Sequence, residues 1–134
     1  VKRPALLERN FSMATSILVV DDSAVSRSIV IRSLPKGWDV AISQASNGRE
    51  ALIVLEQKPH AVVLLDLNMP VMDGYEFLEA IKQSSLPRPV VIVLSGDIQP
   101  GAQARVRELG ACAFVKKPVR ADTVLGALKE SGVL

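Results

Sequence analysis

Three observations predict an α/β fold built on a parallel sheet. Runs that are apolar at every position, such as Ile17–Val20, Ala61–Leu65 and Val90–Leu94, have the length of strands buried on both faces. They alternate with segments whose apolar residues recur at helical spacing, the pattern of strands joined by helical crossovers. Five such β/α units fit within 134 residues, the size of one small doubly wound sheet.

The first strand is Ile17–Val20 and the first helix Ala24–Leu34, closed by Pro35 and Gly37. The second strand, Asp39–Ala45, alternates more than the others, so it is expected at an edge with one wetter face. The second helix follows Asn47-Gly48, carries Gly48, Ala51, Leu52 and Leu55 on one stripe and stops before Pro59. After the third strand, Ala61–Leu65, a third helix shows Gly74, Phe77, Leu78 and Ile81 at i, i+3, i+4 and i+7 and ends near Ser84. Pro87 and Pro89 precede the fourth strand, Val90–Leu94. The fourth helix, Pro100–Leu109, has proline in its first turn and Gly110 as its C-terminal cap. A short fifth strand, Ala113–Val115, leads to a fifth helix, Arg120–Glu130, with Ala121, Val124, Leu125 and Leu128 expected on its buried stripe. Residues 1–12 match no element and read as a flexible extension or cloning remnant, leaving 13–134 as one domain.

An apolar fraction of 49% suffices for a real core, and 4% aromatic content points to aliphatic layers between helices and sheet. The net charge of +2 is accounted for by Lys2, Arg3 and Arg9 against Glu8, so no basic face is implied and direct nucleic-acid binding is not expected. The single Cys112 excludes an internal disulfide. Its apolar context reads as small core filler and its setting as reducing and cytoplasmic. No apolar run approaches the ~20 residues of a membrane span, and Val1–Ser12 lacks the apolar core of a secretory signal. His60, after Pro59, reads as a surface residue, and Trp38 as packing at the start of the second strand.

The strand ends carry the chemistry. Asp21-Asp22 close the first strand, Asp66 the third, Ser95 the fourth, and Lys117 follows the fifth. In doubly wound sheets ligands bind beyond the carboxyl ends of the strands, where the strand order reverses. With the order 2-1-3-4-5, strands one and three meet at that reversal, so Asp21, Asp22 and Asp66 converge with Ser95 and Lys117 flanking them. Two unit charges ~4 Å apart repel by about 4 kcal/mol at an effective dielectric of ~20, so one carboxyl protonates or a cation binds. An all-oxygen set with room for water suits Mg2+, which usually takes one or two carboxylates and phosphate oxygens. A metal-neutralised carboxylate beside a lysine and a hydroxyl can accept a phosphoryl group, with cations offsetting charge on the transferring oxygens and the hydroxyl donating a hydrogen bond.

Four strings, Leu18-Val19-Val20-Asp21-Asp22, the stretch from Leu64-Leu65-Asp66-Leu67-Asn68-Met69-Pro70 to Val71-Met72-Asp73-Gly74, Leu94-Ser95-Gly96 and Lys116-Lys117-Pro118, closely resemble the receiver domain of two-component response regulators. The resemblance covers roughly residues 15–131 and implies the flavodoxin-like fold of the chemotaxis regulators. It implies that Asp66 takes a phosphoryl group from a phospho-histidine of a histidine kinase or phosphotransfer protein. Asp22 and Asp66 would ligate Mg2+ directly, Asn68 through its backbone carbonyl, and Asp21 nearby or through water. Ser95 would be the switch hydroxyl, Phe114 the switch aromatic, and Lys117 the phosphoryl-binding cation. The family's lysine stands directly before the proline, so Lys116 falls to solvent, and the Lys117–Pro118 bond is a candidate for cis. Asn68 and Asp97 would flank the path of the water that removes the phosphoryl group. An output protein or domain would read the face of the fourth helix, fifth strand and fifth helix, bearing Arg105, Arg107 or Arg120. Such a module is not an enzyme beyond its own phosphorylation and autodephosphorylation. It is expected as a monomer or a phosphorylation-favoured dimer, either standing alone or as the receiver of a larger protein.

Plainer roles compete with these: Asp22 or Ser23 as a helix cap, Ser95 as a turn hydroxyl, Phe114 as core packing. Two other functions fit less well. A haloacid-dehalogenase-type phosphohydrolase carries a second acid two residues after its aspartate nucleophile, where this chain has Asn68, and there is no cap insertion. A flavodoxin-like FMN carrier needs a Ser/Thr/Gly phosphate loop after the first strand, where Asp21-Asp22 would repel the phosphate.

Overall fold

The computed structural model describes residues 14–96 and 99–134, so the extension expected at residues 1–12, and Asp97, lie outside the described residues. Five parallel strands, β1 (Thr15–Val20), β2 (Val40–Ala45), β3 (Val62–Asp66), β4 (Val90–Ser95) and β5 (Ala113–Lys116), form one sheet in the order β2-β1-β3-β4-β5. Five helices connect and flank them: α1 (Ala24–Arg32), α2 (Gly48–Gln57), α3 (Gly74–Gln83), α4 (Pro100–Glu108) and α5 (Ala121–Glu130). This is the flavodoxin-like architecture expected from the sequence. No helix among the described residues is long and apolar enough to cross a membrane.

Strand alternation sorts the core into two layers. Leu18, Val20, Val63, Leu65, Val91 and Val93 pack with Ala51, Leu55, Phe77, Leu78, Ile81 and Val106 of α2, α3 and α4. Ile17, Val19, Val62, Leu64, Ile92 and Leu94 pack on the other face with Val30 of α1 and with Val124, Ala127 and Leu128 of α5. Burying each large aliphatic side chain contributes about 1.5–3 kcal/mol, so the three central strands, apolar on both faces, fix the register of the sheet. β2 is the wetter edge strand, as its alternation predicts. Trp38 packs half-buried against the α1/α5 layer, also as expected.

Three expectations need correction. The buried face of α5 is centred on Val124, Ala127 and Leu128, while Ala121 is exposed and Leu125 half-buried. Ala127 therefore takes the inward position that Leu125 was expected to fill, and Leu125 lies at the margin. His60 is buried, not at the surface, with Nδ1 2.9 Å from the Lys58 carbonyl and Nε2 3.0 Å from Ser43 Oγ. One backbone carbonyl and one side-chain hydroxyl let a polar ring fill that space without an unmet hydrogen bond. Cys112 is exposed. It precedes the edge strand β5, between the inward-facing Ala111 and Ala113.

The turn from β3 into α3 fixes where the end of β3 sits. Asp73 caps α3 by accepting from the Glu76 amide at 2.8 Å, and Glu76 Oε1 accepts from the Asp73 amide at 2.9 Å, a reciprocal capping box. The next residue, Gly74, donates to the Leu67 carbonyl at 2.9 Å, and a Cβ there would lie 2.6 Å from the Asp66 carbonyl oxygen and 2.8 Å from Leu67 Cα. Backbone cannot yield as a side chain can. Gly74→Ala should therefore cost about 1–3 kcal/mol in urea unfolding, as overpacking does. Gly126→Ala, inside α5 with nothing within 4 Å of the added methyl, should instead gain about 0.5–1 kcal/mol from helix propensity. Equal effects at the two glycines would refute this account of the β3–α3 turn.

Candidate functional site

The register carries the polar strand ends into one place. Val20 pairs with Leu65, so the next residues, Asp21 and Asp66, stand side by side at the reversal of strand order. Asp66 pairs with Leu94 and Ser95 with Lys116, and the Lys117 amide donates to the Ser95 carbonyl at 2.9 Å. Carboxylate oxygens of Asp21, Asp22 and Asp66 all lie within 4.8 Å of one another. Asp21, Asp66 and Ser95 are 3%, 6% and 1% exposed, whereas Asp22 is exposed, so the cluster opens to solvent on the Asp22 side. Lys117 Nζ reaches Asp21 Oδ2 at 3.0 Å and Asp66 Oδ1 at 3.2 Å. Lys116 is exposed, and the Lys117–Pro118 bond is cis. Asn68 lies exposed in the loop two residues past Asp66. Sequence reasoning thus brings Asp21, Asp22, Asp66 and Lys117 together correctly, with Ser95 on the adjoining strand.

Ser23 resolves the capping question, because its hydroxyl caps α1 by accepting from the Ser26 amide at 3.1 Å. Asp21 Oδ1 accepts from the Ser23 amide at 2.9 Å. Neither acid is consumed by the helix cap, and Asp22 points chemistry toward the cluster instead.

Burial pushes the Asp66 carboxyl above its ordinary range, and the Asp21 charge adds to this. Lys117 opposes both without overcoming them. Burial also works against charge on the Lys117 ammonium, but its hydrogen bond to Asp21 and the charges of Asp66 and Asp21 outweigh it and hold Lys117 above its usual range. One ammonium therefore shares two buried carboxylates while a third stands beside them. The residual negative charge and the all-oxygen donor set fit a small hard cation, with Asp21, Asp22 and Asp66 as the side chains able to hold it.

The loop behind Asp66 shows features that hydrophobic patterning cannot reveal. Val71 has φ +70, and the Met72 amide donates to the Pro70 carbonyl at 2.7 Å, closing a γ-turn around it. A β-branched residue in this region is strained by about 1–3 kcal/mol, and Val71 is 75% exposed, so core packing does not compensate it. The loop is fastened to α2 by the Gly48 amide, which donates to the Met72 carbonyl at 2.9 Å, and a Cβ on Gly48 would meet Met72 Cγ at 2.8 Å. Gly48 was legible only as one member of a helix stripe. Arg105 departs from expectation: its guanidinium lies 4.0 Å from the Tyr75 ring centroid and so turns toward α3 rather than joining a face with α5. Stacking on an aromatic face suits a weakly hydrated guanidinium. Arg120 is paired with Asp122 at 2.6 Å, leaving Arg107 exposed on α4.

A flavodoxin-like sheet whose strand ends gather three acids and a lysine defines a phosphoacceptor signalling module. Residues 17–129 match the family model described as "Response regulator receiver domain", and the chain belongs to that family. It is 30% identical over 121 residues to a probable chemotaxis protein CheY of Rhizobium etli, covering 84% of this chain and 94% of that protein. It is 43% identical over 106 residues to a protein-glutamate methylesterase/protein-glutamine glutaminase of Treponema denticola, where the match covers 76% of this chain and only 28% of the relative. Among solved structures it resembles the chemotaxis response regulator CheY4 of Vibrio cholerae, with a TM-score of 0.79, 29% identity and coverage of 89% and 99% of the two chains. The bacteriophytochrome response regulator AtBRR gives the same TM-score at 31% identity, covering 92% of this chain and 96% of that one.

The raised Asp66 carboxyl has a consequence for stability. A carboxyl held above its ordinary range binds its proton more tightly in the folded chain than in the unfolded one. Its contribution is therefore complete at pH values below the unfolded pKa and is lost as pH rises through the folded one. Asp66→Asn mimics the neutral form. It should raise the melting temperature of the metal-free protein by a few degrees at neutral pH, with the gain shrinking as pH falls through the raised folded-state pKa and gone below the ordinary carboxyl range, where the wild-type carboxyl is itself protonated. A lower melting temperature than wild type at neutral pH would contradict the burial argument.

Proposed function

We propose that Asp66 is the phosphoacceptor of this receiver domain and that Asp21, Asp22, Asp66 and the Asn68 backbone carbonyl hold Mg2+ beside it. The observation that carries the reading is the buried Asp66 carboxylate, 3.2 Å from the Lys117 ammonium and clustered with two further acids at the switch point of the sheet. A bound Mg2+ would offset charge on the phosphoryl oxygens and on the attacking carboxylate. In the transfer an Asp66 carboxylate oxygen forms the bond to phosphorus, while the bond from phosphorus to the donor's histidine nitrogen breaks and that nitrogen leaves with the electron pair. Lys117 neutralises charge on the incoming oxygens, and Ser95, buried on the adjoining strand, donates a hydrogen bond to one of them. The donor is a phospho-histidine of a kinase or phosphotransfer protein. Val25 and Ile29, 70% and 41% exposed on α1, offer it apolar contact on the helix that follows the acid pair.

The output is a change of the α4–β5–α5 face, read by a partner protein or a further domain. A phosphoryl group adds roughly −1.5 to −2 charge and three acceptor oxygens at one point, which draws Ser95 toward it. Phe114, half-buried against the α2–α4 layer, then turns into the space released. α4 is suited to respond, because Val106 is its only buried residue and its N-cap Gln99 makes no side-chain capping bond. Arg107 supplies the exposed charge on this helix, and Arg105 is redirected to Tyr75.

Intact-mass measurement with acetyl phosphate tests the reading. One phosphoryl group should add in the presence of Mg2+ and not in its absence, and Asp66→Asn should take none. Lys117→Ala should slow labelling or uncouple it from the change in amide exchange that beryllofluoride induces at α4, β5 and α5, and Lys116→Ala should do neither. Wild-type labelling of Asp66→Asn would sink the acceptor assignment. A defect in Lys116→Ala with none in Lys117→Ala would exchange the two lysines.

A further inference from the structure

Arg27, in the second turn of α1, makes two directed contacts at the rim of the acid cluster. Its Nη1 donates to the Asp21 backbone carbonyl at 2.6 Å, and its Nε donates to Gln44 Oε1 on β2 at 2.8 Å. The local ladder explains why that carbonyl is available. The β1–β2 pairing ends where the Asp21 amide donates to the Ala45 carbonyl at 3.1 Å. Beyond it β2 turns into α2. The Ser46 amide goes to Glu50 Oε1 at 2.8 Å, and the Asn47 side chain caps the helix by accepting from the Glu50 amide at 2.9 Å. The carbonyl at the end of β1 takes its hydrogen bond from Arg27 instead.

That carbonyl belongs to the planar peptide joining Asp21 to Asp22, so fixing its direction fixes the plane that holds both Cα atoms. The next peptide is held in turn by the Ser23 amide, which donates to Asp21 Oδ1 at 2.9 Å, so the rotations that would re-aim the Asp22 side chain are narrowed from both sides. Asp21 has further restraints, from the Ser23 amide and from Lys117. Asp22 has none: its carboxylate makes no hydrogen bond or ion pair among the described residues, and it is exposed. Its aim rests on the backbone alone.

We propose that Arg27 is a positioning residue for the cation step. It clamps the Asp21–Asp22 peptide to β2 through Gln44 and thereby orients the Asp22 carboxylate toward Mg2+ before any phosphoryl group arrives. The proposal rests on the reading of Asp21, Asp22 and Asp66 as the Mg2+ site. It requires the guanidinium's fork, since a lysine ammonium is a single point that cannot address the carbonyl and the Gln44 oxygen in the same planar geometry.

Positioning and plain electrostatics predict opposite signs. A cation near an acid cluster opposes Mg2+, so if Arg27 acted only through its charge, Arg27→Gln would bind Mg2+ more tightly and Arg27→Lys would bind it as wild type does. If Arg27 positions the acid pair, both variants bind more weakly, by about tenfold, the low end of what losing an outer-shell partner of a metal site costs. Gln44→Ala leaves Arg27 in place and should weaken binding in the same direction by a smaller factor, which keeps the proposal open to test even if an Arg27 variant folds poorly. The experiment is Mg2+ titration calorimetry on the full chain without a phosphodonor. Amide exchange at Asp22 and Ser23 in the metal-free protein and melting temperatures are measured alongside. The expected result is weaker Mg2+ binding in all three variants and faster exchange at those two amides, with little change in melting temperature. Wild-type affinity in Arg27→Lys and Gln44→Ala, or tighter binding in Arg27→Gln, would overturn the proposal. A wild-type protein that binds no Mg2+ would overturn the metal-site reading itself, and the proposal with it.

Discussion

A single ammonium shared between two buried carboxylates is the interaction on which the site depends. Lys117 follows β5, the edge strand, whereas Asp21 and Asp66 end β1 and β3. For one Nζ to stand 3.0 Å and 3.2 Å from their oxygens, the intervening β4 must hold its register and the chain beyond β5 must bend back over the sheet. Buried charges are tolerated only when paired and hydrogen-bonded, and here three acids compete for one lysine. The imbalance leaves the cluster with net negative charge. Asp66 is held above its ordinary range by burial, and a site that raises the energy of its own carboxylate favours an added cation.

The rest of the molecule divides into a stiff frame and a looser margin. The frame is the central strands, the α3 capping box and the close passage of Gly74 over the Asp66 carbonyl, which together leave Asp66 little freedom. Gly48 adds a second fastening by receiving the strained turn at Val71 and Met72 against α2. The margin is α4, which buries one valine and touches α3 through the stacking of Arg105 on Tyr75 and a 3.3 Å hydrogen bond from Lys82 Nζ to the Glu108 carbonyl. On the proposed reading, a firmly placed Asp66 and a lightly buried α4 are what would let a local charge change become a change of surface.

Much of this was legible in the sequence because the sheet is buried on both faces. Continuous apolar runs such as Val62–Leu65 can be nothing but central strands when helices flank them, and their polar endings then mark the sheet's mouth. The order 2-1-3-4-5 is one of the common doubly wound orders, and the polar endings agree with it independently, because it sets β1 beside β3 and brings the three acids together. What the sequence did not reveal were features set by rotation and by single contacts. The helical period of α5 allows either Leu125 or Ala127 beside Val124, and the rotation of the helix about its axis, which local pattern does not fix, puts Ala127 inward. His60 is polar and follows a proline, and its burial depends on a local carbonyl and on the Ser43 hydroxyl of another strand, which no local pattern reveals. Arg105 and Arg27 are long side chains whose direction is chosen by a neighbouring ring or carbonyl, which no local pattern encodes.

The central claim is that the buried carboxylate at the end of β3, not its neighbours at the end of β1, forms the bond to phosphorus. Borohydride reduction of the phosphorylated protein converts the labelled aspartate to homoserine, and peptide fragmentation then locates the change. The account predicts homoserine at position 66 alone. Its appearance at position 21 or 22, with Asp66 intact, would contradict the account.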